Sequence, residues 1–165
     1  ICYLSEDRKR FGLMLDKSVT QNSAIASVDD YITMGIINDT KMREISAEAN
    51  TKLRTKTPSM EQLLKNRSGG NQQKVIIARW LMKNCDIFIF DEPTRGIDVG
   101  AKAEIYELMN QLVKQGKSII MISSELPELI GMSDRVYVMH EGEIVGELQK
   151  DELDQERILT LASGA

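Results

Sequence analysis

Four consecutive apolar residues, Ile87-Phe-Ile-Phe90, end abruptly in the carboxylates of Asp91 and Glu92, followed by Pro93 and Thr94. So short and apolar a run, taken from Asp86 to Phe90, reads as a strand buried on both faces. Such a strand needs a layer above it and a layer below. The neighbouring segments offer candidates. From Asn71 to Lys83, Val75, Ile76, Ala78, the Arg79 stem, Leu81 and Met82 wrap most of a helix, the pattern of a largely buried one. Val99 to Lys114 is amphipathic, with Ile105, Leu108, Met109 and Leu112 on one side and Gln115-Gly116 ending it. Ser118 to Ile122 reads as a second buried strand, and Pro127 falls in the first turn of a short helix, where proline is tolerated. Arg135–Met139 and Glu143–Glu147 flank His140-Glu-Gly142 as a hairpin, with His140 a surface turn residue. Asp151 to Ala162 closes the chain as a helix. The alternation predicts an α/β fold with a parallel sheet covered on both faces and the hairpin on one side.

The first part of the chain has another rhythm. Ile1–Leu4 reads as the end of a strand running into the charged loop Ser5–Arg10. From Val19 to Leu64, Ile25, Val28, Ile32, Met42, Ile45, Ala49 and Leu53 recur at helical spacing with few strand formers, which predicts a small helical lobe. Asn38-Asp39 and Thr57-Pro58-Ser59 punctuate it as turns. The expected organisation is an α/β core from 1–17 and 71–165 with a helical subdomain at 18–70.

With 165 residues, 42% hydrophobic and 28% charged, the chain is long enough to bury one core. Its net charge of −4 argues against a general nucleic-acid binder, and the basic clusters at Arg8-Lys9-Arg10 and around Lys52, Arg54 and Lys56 read as solvated faces. Cys2 and Cys85 make neither a disulfide framework nor a metal site. No apolar run approaches the roughly 18 residues that span a bilayer, and no signal segment is evident, so a cytoplasmic protein is expected. Because the sequence starts in mid-strand without Met, a fragment of something longer is also expected.

Two motifs carry chemistry. Ser68-Gly69-Gly70 precede a helix, whose N-terminus exposes unpaired N–H groups and a partial positive charge. A serine there can donate to an anionic oxygen, and glycines permit close backbone approach. A serine cap after a flexible turn is the plainer reading of these residues taken alone. At 91–92, carboxylates at the C-terminal end of a strand lie where open α/β sheets bind ligands. Asp91 suits a magnesium shell and Glu92 the orientation or deprotonation of a water. A helix start complemented by acids is the alternative. No G-x-x-x-x-G-K-[ST] phosphate loop occurs in the chain.

The combination of Glu6 after a strand, Ser-Gly-Gly-Asn-Gln-Gln at 68–73, Asp-Glu-Pro-Thr at 91–94 and Gly-Ile-Asp at 96–98 resembles the ATP-binding subunits of ABC transporters. The stretches Asn71–Lys74, Pro93–Lys102, Ser123–Glu128 and Lys56–Glu61 resemble, more narrowly, the C-terminal half of the two-cassette ATPases of bacterial ribose-, xylose- and galactoside-type importers. The resemblance implies a partial P-loop NTPase core of the ABC type, ATP and Mg2+ as cofactors, and ATP hydrolysis driving sugar uptake. It implies that Ser68, Gly69, Gly70, Asn71 and Gln72 form the signature that contacts the γ-phosphate of ATP held by the opposite cassette. Asp91 is then the magnesium-associated residue, Glu92 the catalytic carboxylate and Asp98 the residue that communicates across the interface. The helical lobe would touch the membrane-spanning permease subunits, which work with a sugar-binding protein outside the membrane. The protein would lie on the inner membrane face. A DNA-repair or chromosome-maintenance ATPase is the competing reading, disfavoured by the single short helix between signature and acidic strand. A non-enzymatic interaction module is the third.

Two departures from the family pattern stand out. Glu6 occupies the place of a glutamine that serves magnesium and water, and Ser124 occupies the place of a histidine that contacts the γ-phosphate. The expectation is asymmetric duty: the signature serves the first cassette of the same polypeptide, while the local site at Asp91–Glu92 is slow or silent. The 165 residues alone are expected to be inactive and to self-associate through uncovered strands.

Overall fold

The computed structural model describes residues 1–164. The chain divides into two compact units, Ile1–Ile120 and the remainder from Met121.

In the first unit, β1 (Cys2–Leu4) pairs in parallel with β4 (Ile87–Asp91), Cys2 opposite Phe88 and Leu4 opposite Phe90. The strand order is β1-β4-β5, with β5 at Ser118–Ile122. Cys2, Leu4, Phe88 and Phe90 share the buried face, and the two phenylalanine rings stack with centroids 6.0 Å apart. The other face differs from the sequence expectation. Tyr3 is exposed, Ile87 and Ile89 are only partly buried, and Ile120 and Ile122 on β5 are exposed. The described residues thus cover one face of this sheet more fully than the other, and apolarity alone does not distinguish the two cases.

Helix α3 (Gly69–Met82) buries Val75, Ile76, Ile77 and Ala78, and with them Gln72, Gln73, Lys74 and Arg79. Its circumferential burial follows from the apolar run and from polar side chains whose ends find backbone partners. Helix α4 (Val99–Lys114) has the bounds its periodicity predicts and turns Ile105, Leu108, Met109 and Leu112 inward.

The lobe before α3 holds helix α1 (Val19–Ala24), a 3-10 segment (Ile25–Tyr31), a two-residue hairpin β2 (Ile32–Thr33) and β3 (Ile36–Ile37), and helix α2 (Asp39–Lys52). Ser18 starts α1 through a capping box with Gln21. The Asn38-Asp39 turn signal is the start of α2: the Asn38 side chain accepts from Lys41 N and caps the helix. The lobe's interior is largely polar. Buried Asn22 donates to Met14 O at 2.9 Å and Ser18 O at 3.0 Å and accepts from Met14 N at 2.9 Å. Buried Asn50 donates to Ser23 Oγ at 2.8 Å and Ser46 O at 2.9 Å. Of the apolar residues at helical spacing only Ala49 and Leu53 are buried, so that spacing did not identify what fills this stretch.

The second unit contains helix α5 (Leu126–Met132), strands β6 (Arg135–His140) and β7 (Glu143–Gln149), and helix α6 (Gln155–Ser163). The hairpin turns through Glu141 and Gly142, at φ 46° and 87°, and forms its own two-stranded sheet. Val136, Val138, Leu148 and Ile158 make its core, with Leu126, Ile130, Leu153 and Leu161 packed around them. Asp154 caps α6, so the helix begins later than Asp151, after a 3-10 turn at Lys150–Glu152. His140 is not a free turn residue: its Nδ1 lies 2.8 Å from Ala162 O and ties the hairpin to α6.

Candidate functional site

The residues of the two motifs meet in the first unit. Ser68 is the N-cap of α3, with extended backbone (φ −63°, ψ 157°), but its side chain makes no capping bond to the helix. Its Oγ accepts from Asn71 Nδ2 at 2.9 Å, and Asn71 Oδ1 accepts from Lys56 N at 2.7 Å. The hydroxyl keeps its own proton for donation, beside first-turn N–H groups that no side chain caps. This combination suits an anionic oxygen.

Gly69 and Gly70 face close neighbours. A Cβ on Gly69 would stand 2.6 Å from Arg8 Nη2 and 3.2 Å from Gly96 O. A Cβ on Gly70 would stand 2.7 Å from Ala101 Cβ. The loop at Ser68–Gly70 therefore packs directly on the segment from Gly96 to Ala101. Gln72 points the other way: it is buried and donates through Nε2 to Leu64 O at 3.2 Å. Its role in the structure is to hold the loop before α3.

At the end of β4, Asp91 is half-buried, and its Oδ2 accepts from Tyr3 Oη at 2.5 Å. That bond, joined by burial and the carboxylate's charge, raises the Tyr3 phenol above its ordinary value against a smaller opposing effect of Ser5. Glu92 follows with φ 46°, a left-handed conformation that costs a non-glycine residue about 1–3 kcal/mol. Glu92 O accepts from Arg95 N at 3.2 Å and Thr94 O from Ile97 N at 3.2 Å, which together close the turn. Asp98 caps α4, accepting from Ala101 N at 3.0 Å.

Glu6 is brought to this turn by an ion pair with Arg95. Arg8 reaches the same turn from the other side: Nη1 donates to Arg95 O at 2.9 Å. Burial lowers the Arg8 pKa, with Asp7 acting in the opposite direction. Arg8 is thus no solvated charge, as the Arg8-Lys9-Arg10 cluster suggested. It and Tyr3 are the site residues that sequence reasoning missed. Register alone brings Tyr3 to Asp91. The only hint of Arg8 is a pair of glycines, 69 and 96, with no stated reason for being small. Ser124 lies in the second unit, exposed, between β5 and α5.

A hollow of about 280 Å³ beside Gly69 is lined by Arg8, Lys9, Lys65, Arg67 and Gln72, with Lys65 paired to Asp16 at 2.8 Å. Among the described residues no group of three or more His, Cys, Asp or Glu side chains could enclose a metal. Magnesium is commonly held by one or two carboxylates together with substrate phosphates. Asp91 fits that chemistry, whereas Glu6 is committed to Arg95.

The ABC transporter family profile matches residues 3–95, which include β1, Ser68–Gln72 and the acidic strand end. The chain belongs to the ABC transporter family. It is 54% identical to the xylose import ATP-binding protein of Thermoanaerobacter pseudethanolicus, over 99% of this chain and 32% of that protein. It is also 54% identical to the ribose import ATP-binding protein of Clostridium perfringens, over 99% of this chain and 33% of that protein. The chain spans about a third of the length of these curated relatives. Among solved structures, it is similar to a dimeric bacterial ABC transporter cassette at a TM-score of 0.74 and 20% identity, covering 90% of this chain and 62% of that one. An inward-facing metal-chelate type ABC transporter matches at 0.80 and 15% identity, over 98% of this chain and 62% of that chain. These likenesses establish the fold, a partial P-loop NTPase of the ABC type. The family implies nucleotide binding. No helix among the described residues is long and apolar enough to cross a membrane.

Proposed function

We propose that this chain is the signature-bearing part of the second ATP-binding cassette of a bacterial sugar importer, coupling ATP hydrolysis to uptake. The observation that carries the proposal is the α3 N-terminus. A serine that accepts from Asn71 and retains its proton stands at uncapped N–H groups, on a loop held by glycine packing. Ser68 and the amides after it would bind γ-phosphate oxygens of ATP presented by the N-terminal cassette of the same polypeptide. Gly69 and Gly70 keep the backbone close, and Asn71 orients Ser68. Gln72 supports the loop from beneath.

In the local site, Asp91 would hold Mg2+, whose chemistry is to neutralise phosphate charge. Glu92 would accept the proton of the attacking water. Asp98 would meet the opposite cassette. Glu6 weakens this site, because it is engaged by Arg95. The helical lobe would face the permease subunits on the cytoplasmic side of the membrane, with a sugar-binding protein acting beyond them. Nothing favours the DNA-repair reading.

In the full-length transporter, Ser68→Arg is expected to lower transport-coupled hydrolysis by at least about a hundredfold, whereas Glu92→Gln lowers it by less than about tenfold. Equal losses sink the assignment of unequal duty. The 165 residues alone are expected to bind ATP weakly and to self-associate through the exposed face that carries Tyr3 and Ile120. A monomer in light scattering contradicts the second expectation.

A further inference from the structure

We infer that Arg8 is a positioning residue: its guanidinium wedges between the signature loop and the turn after the acidic strand, so that Ser68 and Glu92 are set by one side chain. The inference rests on the reading of Ser68–Gly70 as the signature.

The geometry has three parts. Nη1 donates to Arg95 O at 2.9 Å, which holds the turn whose first carbonyl belongs to Glu92. Nη2 occupies the space that a side chain on Gly69 would take, 2.6 Å from where its Cβ would stand, and lies 3.9 Å from the Cβ position of Gly96. Gly96, at φ 67°, offers its carbonyl 3.2 Å from that same Gly69 position. The guanidinium plane thus fills a slot formed by two glycines.

Arg8 also sits at a fixed distance along the chain from Glu6, and Glu6 grips the Arg95 side chain while Arg8 grips its carbonyl. Asp7 between them accepts from Arg10 N at 3.1 Å and locks the short helical turn from Arg8 to Gly12. Movement of the 5–8 loop therefore moves both ends of Arg95 and the floor beneath Gly69. A lysine cannot replace this wedge, because a single ammonium lacks the planar fork that spans two neighbours.

The test is a double-mutant cycle in the full-length protein. Arg8→Ala and Gly69→Ala are each expected to lower kcat for ATP hydrolysis by roughly tenfold to a hundredfold, with KM for ATP changed by less than about threefold. The double variant should lose little more than either single one, because both disturb the same slot. Arg8→Lys should not rescue. Amide hydrogen exchange on the same proteins should quicken by about tenfold in 66–71 and 94–98 for Arg8→Ala, while 75–82 stays unchanged.

Losses that multiply, an Arg8→Ala kcat within about twofold of the parent, or unchanged exchange in those two segments each overturn the proposal. So does exchange that rises throughout the chain in both Arg8→Ala and Arg8→Gln, since Arg8 would then hold the whole fold. Ser68→Arg in the same assay separates the two ideas. If it leaves hydrolysis intact the signature reading fails, while the exchange result still decides whether Arg8 couples the segments.

Discussion

The Ser68–Gly70 loop and the acidic turn touch each other through Gly69, Gly96 and Arg8, yet they are anchored in opposite ways. The helix behind that loop, α3, is tied down by buried charge on backbone oxygens. Arg79 donates to Asn22 O at 2.8 Å and Gly12 O at 2.7 Å, and burial pushes its pKa down to about 10, still charged at neutral pH. Lys74, buried, donates to Arg54 O at 3.1 Å and Glu104 at 2.6 Å. The acidic turn is held by Tyr3 on Asp91, by half-buried Arg8 on Arg95 O and by Glu6 on the Arg95 side chain, the last pair 42% and 67% exposed. Bonds to charged groups inside the protein are strong, whereas exposed ion pairs are screened. The start of α3 is thus backed by a fixed surface, and the acidic turn is an adjustable one.

The largest test of that contrast is Arg79→Met. It leaves Gly12 O and Asn22 O without their donors and is expected to cost about 3 kcal/mol, read as a fall in the denaturant midpoint. Gly70→Val comes next: with 2.7 Å to Ala101 Cβ, the added side chain forces α3 and α4 apart at a cost of about 2 kcal/mol. Acid offers a smaller probe. Lys74, through its hydrogen bond and then its charge, holds the Glu104 carboxyl below its ordinary value against a weaker effect of burial. Glu104 therefore contributes stability above the ordinary glutamate range, and that contribution disappears as pH falls through the lowered value. Melting curves from neutral pH to about pH 4 should show the parent losing more than Glu104→Gln. At the small end, Glu6→Gln should cost less than about 0.5 kcal/mol, and added salt should shrink even that. A loss from Glu6→Gln as large as that from Arg79→Met breaks the contrast.

The local structure was legible where periodicity and punctuation are local. Val99–Lys114 and Ser118–Ile122 have the bounds their patterns predict, and Gly142 closes the hairpin. The identity of the family was legible because its motifs are contiguous runs, and the match over residues 3–95 agrees. Polar interiors were not legible. Asn22 and Asn50 are polar by type, yet each is buried because a carbonyl or hydroxyl from another segment meets it, and the carbonyl that receives the Arg79 guanidinium was equally hidden. The exposed side of β5 was likewise hidden, since a strand's apolarity does not say whether both of its faces are covered.

What the sequence determined by itself, then, is the set of elements and the chemistry at their ends: a serine and glycines opening one helix, two carboxylates closing one strand. Those follow from side-chain spacing and backbone preference within a few residues. The tertiary structure alone decided which groups meet those ends. Tyr3 reaches Asp91 across a parallel register, and Arg8 reaches Gly69 and Arg95 across separations of more than sixty and eighty residues. Contacts of that kind depend on where whole elements are packed, and no local pattern carries that information.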